Sequence, residues 1–218
     1  MIHIFYTYLS LNSHNFLINN FLSKFPEDFR KKVLSYKRWQ DAQSSLLGRL
    51  LLQNGIKNIG LKAQKIVYNF WSKPYFEDGQ IQFNISHSGD LVVCAISEEI
   101  KIGIDVEFIH DIEIQDFKSQ MTNDEWLLVQ NDKNSKIAFF KYWTQKEAVM
   151  KAKGIGLSIP LKSFQISNNS TMIGKETFLV EEIVLNKEYK CHLAFVNKEP
   201  KPFLSPPELL SFDFFETM

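Results

Sequence analysis

Leu91-Val92-Val93-Cys94-Ala95-Ile96-Ser97 and, a few residues on, Ile102-Gly103-Ile104-Asp105-Val106-Glu107-Phe108 decide how this chain is read. Both are short runs rich in β-branched residues, the pattern of consecutive strands. A third run of similar texture, Tyr189–Val196, closes the second half of the chain as Leu91–Ser97 closes the first. Each is preceded by a long helical pattern carrying a tryptophan, then polar residues, then alanine: Trp39–Ala42 and Trp143–Ala148. A duplicated unit meeting near residue 103 follows, and with it an α+β fold of two similar halves, 1–103 and 104–218.

Around these runs the other elements take their places. Ile2–Leu9 reads as a strand. Pro26 opens a helical pattern reaching about Asn54, with Phe29, Val33, Tyr36, Leu46, Leu47, Leu50 and Leu51 as its apolar positions and Gly55 placed to end it. Lys65–Trp71 and Ile81–Ile85 read as short strands flanking Pro74, Asp78 and Gly79 as turn residues. A polar, partly helical stretch, Ile114–Asn131, leads to the helix Ser135–Lys153, which Gly154 and Gly156 terminate. Phe164–Ile166 and Thr177–Val184 are further strand candidates, and the proline-bearing tail Pro202–Met218 is expected along the surface. Trp39 and Trp143 are expected as core anchors.

Of the 218 residues, 44% are hydrophobic and 23% charged, which excludes a disordered chain. Lys plus Arg and Asp plus Glu are 25 each, so no net field draws nucleic acid or an anionic membrane. Cys94 and Cys191 form no disulfide framework, Met1–Ser10 lacks a basic start, and no apolar run nears the roughly 18 residues of a membrane span. A reduced, soluble, cytoplasmic protein is the expectation.

Chemistry gathers in three places. Phe83-Asn84-Ile85-Ser86-His87-Ser88-Gly89 runs from a strand into a polar turn whose hydroxyls, imidazole and free N–H groups suit a phosphate. A turn capping its own backbone, with His87 exposed, fits the same residues. On Gly103-Ile104-Asp105-Val106-Glu107, strand alternation puts Asp105 and Glu107 on one face, roughly 7 Å apart, and Ile104 and Val106 in the core. Paired carboxylates repel unless a cation lies between them, which suits Mg²⁺ or, without a ligand, a solvated edge. On the helix, Trp143, Glu147 and Lys151 fall on one stripe, where Glu147 and Lys151 could equally form an ordinary surface salt bridge. Arg30, Lys31, Lys32 and Lys37 add a basic helix face. Together these supply phosphate ligands, a divalent-metal pair and positive charge, with no zinc spacing and no Cys–His nucleophile. Metal-assisted chemistry on a phosphorylated cofactor is the inference.

At these residues the sequence resembles the 4'-phosphopantetheinyl transferases, and most closely the larger Sfp type. The matching features are Lys73-Pro74-Tyr75, Phe83 to Ser88, Gly103 to Glu107, Trp143, Lys146-Glu147-Ala148, Lys151 and Gly154-Ile155-Gly156-Leu157. The resemblance implies two similar α+β halves in a pseudo-twofold arrangement with the active site between them. It implies transfer of 4'-phosphopantetheine from coenzyme A to a serine of an apo acyl or peptidyl carrier protein, releasing adenosine 3',5'-bisphosphate. Asp105, Glu107 and Glu147 would then hold Mg²⁺, Glu147 would serve as base, and Lys151 would offset pyrophosphate charge. Lys32, Lys73, Pro74, Ser86 and His87 would bind coenzyme A. A monomer is expected, with no nucleic-acid or membrane partner. The rival is a coenzyme A- or carrier-binding protein of the same fold that transfers nothing. Three departures from the family pattern are visible: Ser72 precedes Lys73-Pro74 where glycine is frequent, Phe29 stands in the basic helix, and Phe108-Ile109-His110 follows Glu107 without a basic residue. The stretch Asp111–Asp132 is expected as a mobile loop touching the carrier protein.

Overall fold

In a computed structural model of the chain, which describes residues 1–62, 64–156 and 158–216, two four-stranded sheets pack face to face with a long helix outside each. The first sheet has the order β10-β1-β5-β4, from β1 (Ile2–Tyr8), β4 (Gln82–Ser88), β5 (Leu91–Ser97) and β10 (Glu208–Leu209). The second has the order β6-β9-β8-β7, from β6 (Ile102–Phe108), β7 (Ser170–Ile173), β8 (Glu176–Glu182) and β9 (Tyr189–Val196). In each half the first strand pairs antiparallel with the last of a closing hairpin, β1 with β5 and β6 with β9. The helix α3 (Trp39–Asn58) or α5 (Ser135–Lys153) is interposed before that hairpin. The halves therefore share one topology, as the repeat suggested.

Strand alternation builds the layers. Ile2, Ile4, Leu91, Val93 and Ala95 face Ile102, Ile104, Val106, Cys191, Leu193 and Phe195 in the buried layer between the sheets. The opposite face of the first sheet, with Phe5, Val92, Cys94 and Ile96, packs on α3. A short helix pair, α1 (Leu11–Phe21) and α2 (Glu27–Ser35), covers the far side of α3 through Leu17, Phe21, Phe29 and Val33. Ala148, Val149 and Ala152 of α5 pack on Phe178, Val180 and Ala194. Both cysteines are buried free thiols, and no described helix is long and apolar enough to cross a membrane.

Several expectations are corrected. The helix expected over Pro26 to Asn54 is two helices, because Tyr36 and Arg38 are extended and α3 restarts at Trp39. Gly55 lies inside α3: a Cβ there would sit 2.6 Å from a Phe5 ring carbon and 2.5 Å from Ile96 Cδ1, so close packing on the sheet explains it. The helix α1 and the strand β3 (Pro74–Phe76), paired with β2 (Ile66–Tyr68), were not expected. Phe164–Ile166 is not a strand; Phe164 is buried beside α5, and β7 takes the edge instead. The tail is not superficial, since β10 pairs parallel with β1 and Leu210 and Phe215 are buried against α3's cluster. The expected boundary at 103/104 falls inside β6, which begins at Ile102, and residues 204–210 return to the first sheet. Trp39 is half-buried at the start of α3, edge-on to His14, while Trp143 bridges two clusters through Phe117 and Phe139. Residues 111–132 form a 3-10 helix (Ile114–Gln120) and α4 (Asn123–Asn131), the latter closed by a capping box between Thr122 and Glu125. Leu157 and the last two residues of the tail lie outside the described residues.

Candidate functional site

The edges of the two sheets, β4 and β6, meet without a backbone ladder. Side chains of β4 replace it: Asn84 Oδ1 accepts from Ile104 N (2.8 Å), Ser86 Oγ from Val106 N (3.3 Å) and Ser88 Oγ from Phe108 N (3.1 Å). The period of two on each strand brings these polar residues into step. The stretch expected to end in a phosphate turn is thus strand through Ser88, and its polarity serves the seam between halves.

The same seam fixes the carboxylates. Ser86 Oγ donates to Asp105 Oδ1 (3.1 Å) and Ser88 Oγ to Glu107 Oε2 (2.6 Å). As expected, Asp105 and Glu107 share a face of β6 while Ile104 and Val106 enter the core. That face lies under α5 because Gly103 has no side chain: a Cβ would sit 2.2 Å from Ala148 O and from Ala152 N. This contact brings Lys151 within reach, and its Nζ donates to Asp105 Oδ1 (2.6 Å) and Ser86 Oγ (2.9 Å). The Glu147–Lys151 salt bridge does not form; Lys151 pairs with Asp105 instead.

Burial is the first cause of the electrostatics. Asp105 is 3% exposed, and desolvation raises its pKa despite Lys151 and Ser86, which favour the anion. The Glu107 carboxyl is raised by desolvation, with Asp105 adding repulsion against the Ser88 hydrogen bond. The Glu147 carboxyl is raised by desolvation and then by Asp105 and Glu107. The donor set fits a hard divalent cation: three mutually repelling carboxylates, with Asp105 Oδ2 buried and unpartnered. Among the described residues no three such groups converge on one point as they stand, and Lys151 is the cation on Asp105.

The other expected residues are distributed around this cluster. Ser86 is buried, with its hydroxyl bonded to Val106 N, Asp105 Oδ1 and Lys151 Nζ. His87 is exposed on β4, its pKa lowered by desolvation and then by Lys151. Lys73 Nζ donates to Lys151 O (2.6 Å) and Ile102 O (3.4 Å), beside Pro74 at the start of β3. Lys32 is exposed on α2, and among the described residues no hydrogen bond or ion pair joins it to the cluster. Lys146 faces away, buried with Glu125 (2.6 Å) and the carbonyl of Leu161. A cavity of ≈ 370 Å³ lies elsewhere, lined by Phe25, Phe29, Arg49, Ile56, Tyr68 and Phe76.

The sequence pattern pointed Asn84 and Ser88 to a turn instead of to the backbone of β6, and gave no role to Asn69 or to the missing side chain of Gly103. For Asn84 and Ser88 the available signal was the step of two they share with Ile104 and Phe108.

Comparison with known proteins places this geometry. The sequence model of the 4'-phosphopantetheinyl transferase superfamily matches residues 101–202, and that of the 4'-phosphopantetheinyl transferase N-terminal region matches residues 13–99. The chain is 37% identical over 184 residues to 4'-phosphopantetheinyl transferase gsp of Aneurinibacillus migulanus, covering 79% of this chain and 77% of that protein. It is 33% identical over 152 residues to 4'-phosphopantetheinyl transferase Sfp of Bacillus subtilis (strain 168), covering 67% of each. Identity is 29% over 193 residues to the L-aminoadipate-semialdehyde dehydrogenase-phosphopantetheinyl transferase of Rattus norvegicus, covering 75% of this chain and 60% of that one. With its two halves and the carboxylates at their seam, the chain belongs to the 4'-phosphopantetheinyl transferase superfamily, in its Sfp type.

Proposed function

We propose that the protein transfers the 4'-phosphopantetheine group of coenzyme A to a serine of an apo acyl or peptidyl carrier protein, at the seam between residues 1–103 and 104–218. The observation that carries this reading is the Asp105–Lys151 pair, held by Ser86 beside Glu107 and Glu147, in a chain of this family.

The serine Oγ attacks the phosphorus next to pantetheine. An Oγ–P bond forms, the P–O bond of the pyrophosphate breaks, and adenosine 3',5'-bisphosphate leaves. Glu147 takes the hydroxyl proton, directly or through a water; a carboxyl raised above its ordinary range by burial is suited to hold it. Lys151 offsets charge gathering on the leaving oxygens, where a preorganised cation acts strongly. Asp105, Glu107 and Glu147 would hold Mg²⁺, which when bound supplies counter-charge to the pyrophosphate. His87, Pro74 and Lys32 would bind coenzyme A. The exposed Leu127 and Leu128 of α4 offer the carrier protein an apolar surface. The protein acts as a cytoplasmic monomer without nucleic-acid or membrane partners.

Intact mass spectrometry of an apo carrier protein incubated with this protein, coenzyme A and Mg²⁺ tests the reading. A gain of one phosphopantetheine, lost on adding a chelator, is expected. No gain on acyl, peptidyl or aryl carriers while coenzyme A still binds would leave the non-catalytic rival.

A further inference from the structure

The C-terminal turn of α5 carries Lys151, yet the chain's own continuation satisfies little of that turn. Among the described residues, only the Gly154 N–H returns to it, to Met150 O (2.9 Å). The last four carbonyls of any helix lack partners inside it and must find them elsewhere. Here one of them, Lys151 O, and the carbonyl of Gly154 just past the helix find partners on the loop between β2 and β3, in the other half of the molecule. Lys73 Nζ donates to Lys151 O (2.6 Å), and Asn69 Nδ2 donates to Gly154 O (2.8 Å).

Asn69 also builds the loop that presents Lys73. Its Oδ1 accepts from Trp71 N (3.0 Å) and Lys73 N (2.9 Å), and its carbonyl accepts from Ser72 N (3.0 Å). These bonds hold Ser72 at φ +61°, a left-handed conformation that a serine seldom adopts. Gly154 leaves space for the lysine stem: a Cβ there would sit 3.3 Å from Lys73 Cδ. The ammonium reaches Ile102 O as well, next to Gly103, where α5 touches β6. A cation at a helix C-terminus is also favoured by the helix dipole.

We propose that Asn69 and Lys73 form a clamp that positions Lys151, so that Lys73 acts on the reaction through the backbone of α5 instead of by gripping substrate phosphate. With the clamp open, the last turn of α5 frays and the 2.6 Å contact from Lys151 to Asp105 loosens. Lys73 is then a positioning residue and Asn69 its partner. The kinetic part of this inference rests on the transferase reading; the structural part does not.

The test uses Lys73→Met, Asn69→Ala and the double variant of the full chain. Amide hydrogen exchange of residues 150–156 should speed up about tenfold or more in each variant, whether or not the protein is a transferase. Transfer kinetics should show kcat lowered about tenfold with KM for coenzyme A within about threefold, equally with 3'-dephospho-coenzyme A. The double variant should be little worse than the worse single one, as for two parts of one device. Unchanged exchange would overturn the clamp. A defect seen with coenzyme A and absent with the dephospho form would overturn it too, by making Lys73 a phosphate ligand. A wild-type protein that transfers nothing would refute the transferase reading alone and leave exchange to judge the clamp.

Discussion

Lys151 Nζ sits 2.6 Å from Asp105 Oδ1, joining the outer helix of one half to a strand whose other neighbour is the seam with the first half. Ser86 is the hinge of that relationship, because its one hydroxyl donates to Asp105 while accepting from Lys151 and Val106. A hydroxyl has one proton and two lone pairs, so nothing of Ser86 is left over. The cluster is accordingly a product of how the halves are joined.

Replacing Lys151 by alanine should therefore lower kcat for transfer by roughly 100-fold, the scale of losing one preorganised charge at a developing anion. Binding of coenzyme A should change far less. Stopped-flow transfer and calorimetric binding, measured on the same variant, separate the two. A variant that loses affinity and keeps its rate would move Lys151 out of the chemistry.

Gly103→Ala should be the most damaging change of a small residue. The new methyl meets the backbone of α5 at Ala148 and Ala152, which cannot turn aside as a side chain can. Overpacking of this kind costs about 1–3 kcal/mol, read by urea unfolding, and transfer should fall further because Glu147 and Lys151 ride on the displaced helix. Gly48→Ala is the comparison: its Cβ would come 2.8 Å from Ile85 Cγ2, a side-chain methyl that can shift more readily than the backbone of a helix, and helix propensity improves by about 1 kcal/mol. Equal losses at the two sites would contradict this account of Gly103.

The side-chain ladder predicts an unusual order of sensitivities along β4. Asn84→Ala and Ser86→Ala strip buried N–H groups of Ile104 and Val106 of their acceptors, at about 1–3 kcal/mol each. Ser88→Ala, nearer solvent, should cost less, and its effect should appear at Glu107. Equilibrium unfolding of the three variants gives the order directly.

His192 should shape the acid limb of stability. It is buried, paired across the ladder with Asp105, and its Nδ1 meets Thr144 Oγ1 at 2.7 Å while Nε2 has no partner. Desolvation lowers its pKa from 6.5 to about 4, with Glu182 opposing and Lys141 and Lys190 adding to the shift. The unfolded chain binds this proton first as pH falls, so the neutral ring's contribution is complete above pH 6.5 and is lost by about pH 4. The amount is roughly 3 kcal/mol. The difference between wild type and His192→Gln isolates it from the site carboxylates, whose raised pKa values act with the opposite sign. A pH-independent difference would contradict the assignment.

What the sequence disclosed follows from what each signal measures. Leu91–Ser97, Ile102–Phe108, Ser135–Lys153 and Tyr189–Val196 stand where periodicity put them, because each is buried in the layer between the sheets, in the core beneath its own half's helix, or in both. Their shared texture also revealed the duplicated topology. Asn84 to Ser88 misled because polar residues ordinarily end a strand, whereas here they bond to the backbone of β6. The tail misled for a similar reason: its prolines suggest surface, but Leu210 and Phe215 are drawn under by a cluster assembled from distant segments. Asp105, Glu107, Glu147 and Lys151 were legible as a set. That Lys151 prefers Asp105 to Glu147 was not, since it depends on Gly103 letting α5 touch β6.

The central claim is that the carboxylates at the seam perform the transfer, with Glu147 holding the serine proton. Its most direct test is the single-turnover rate of phosphopantetheine transfer to an apo carrier protein by wild type and by Glu147→Gln, at saturating coenzyme A and Mg²⁺. We expect the variant to fold and to bind coenzyme A while its rate falls by about 100-fold or more. A Glu147→Gln protein that transfers at the wild-type rate would contradict the account.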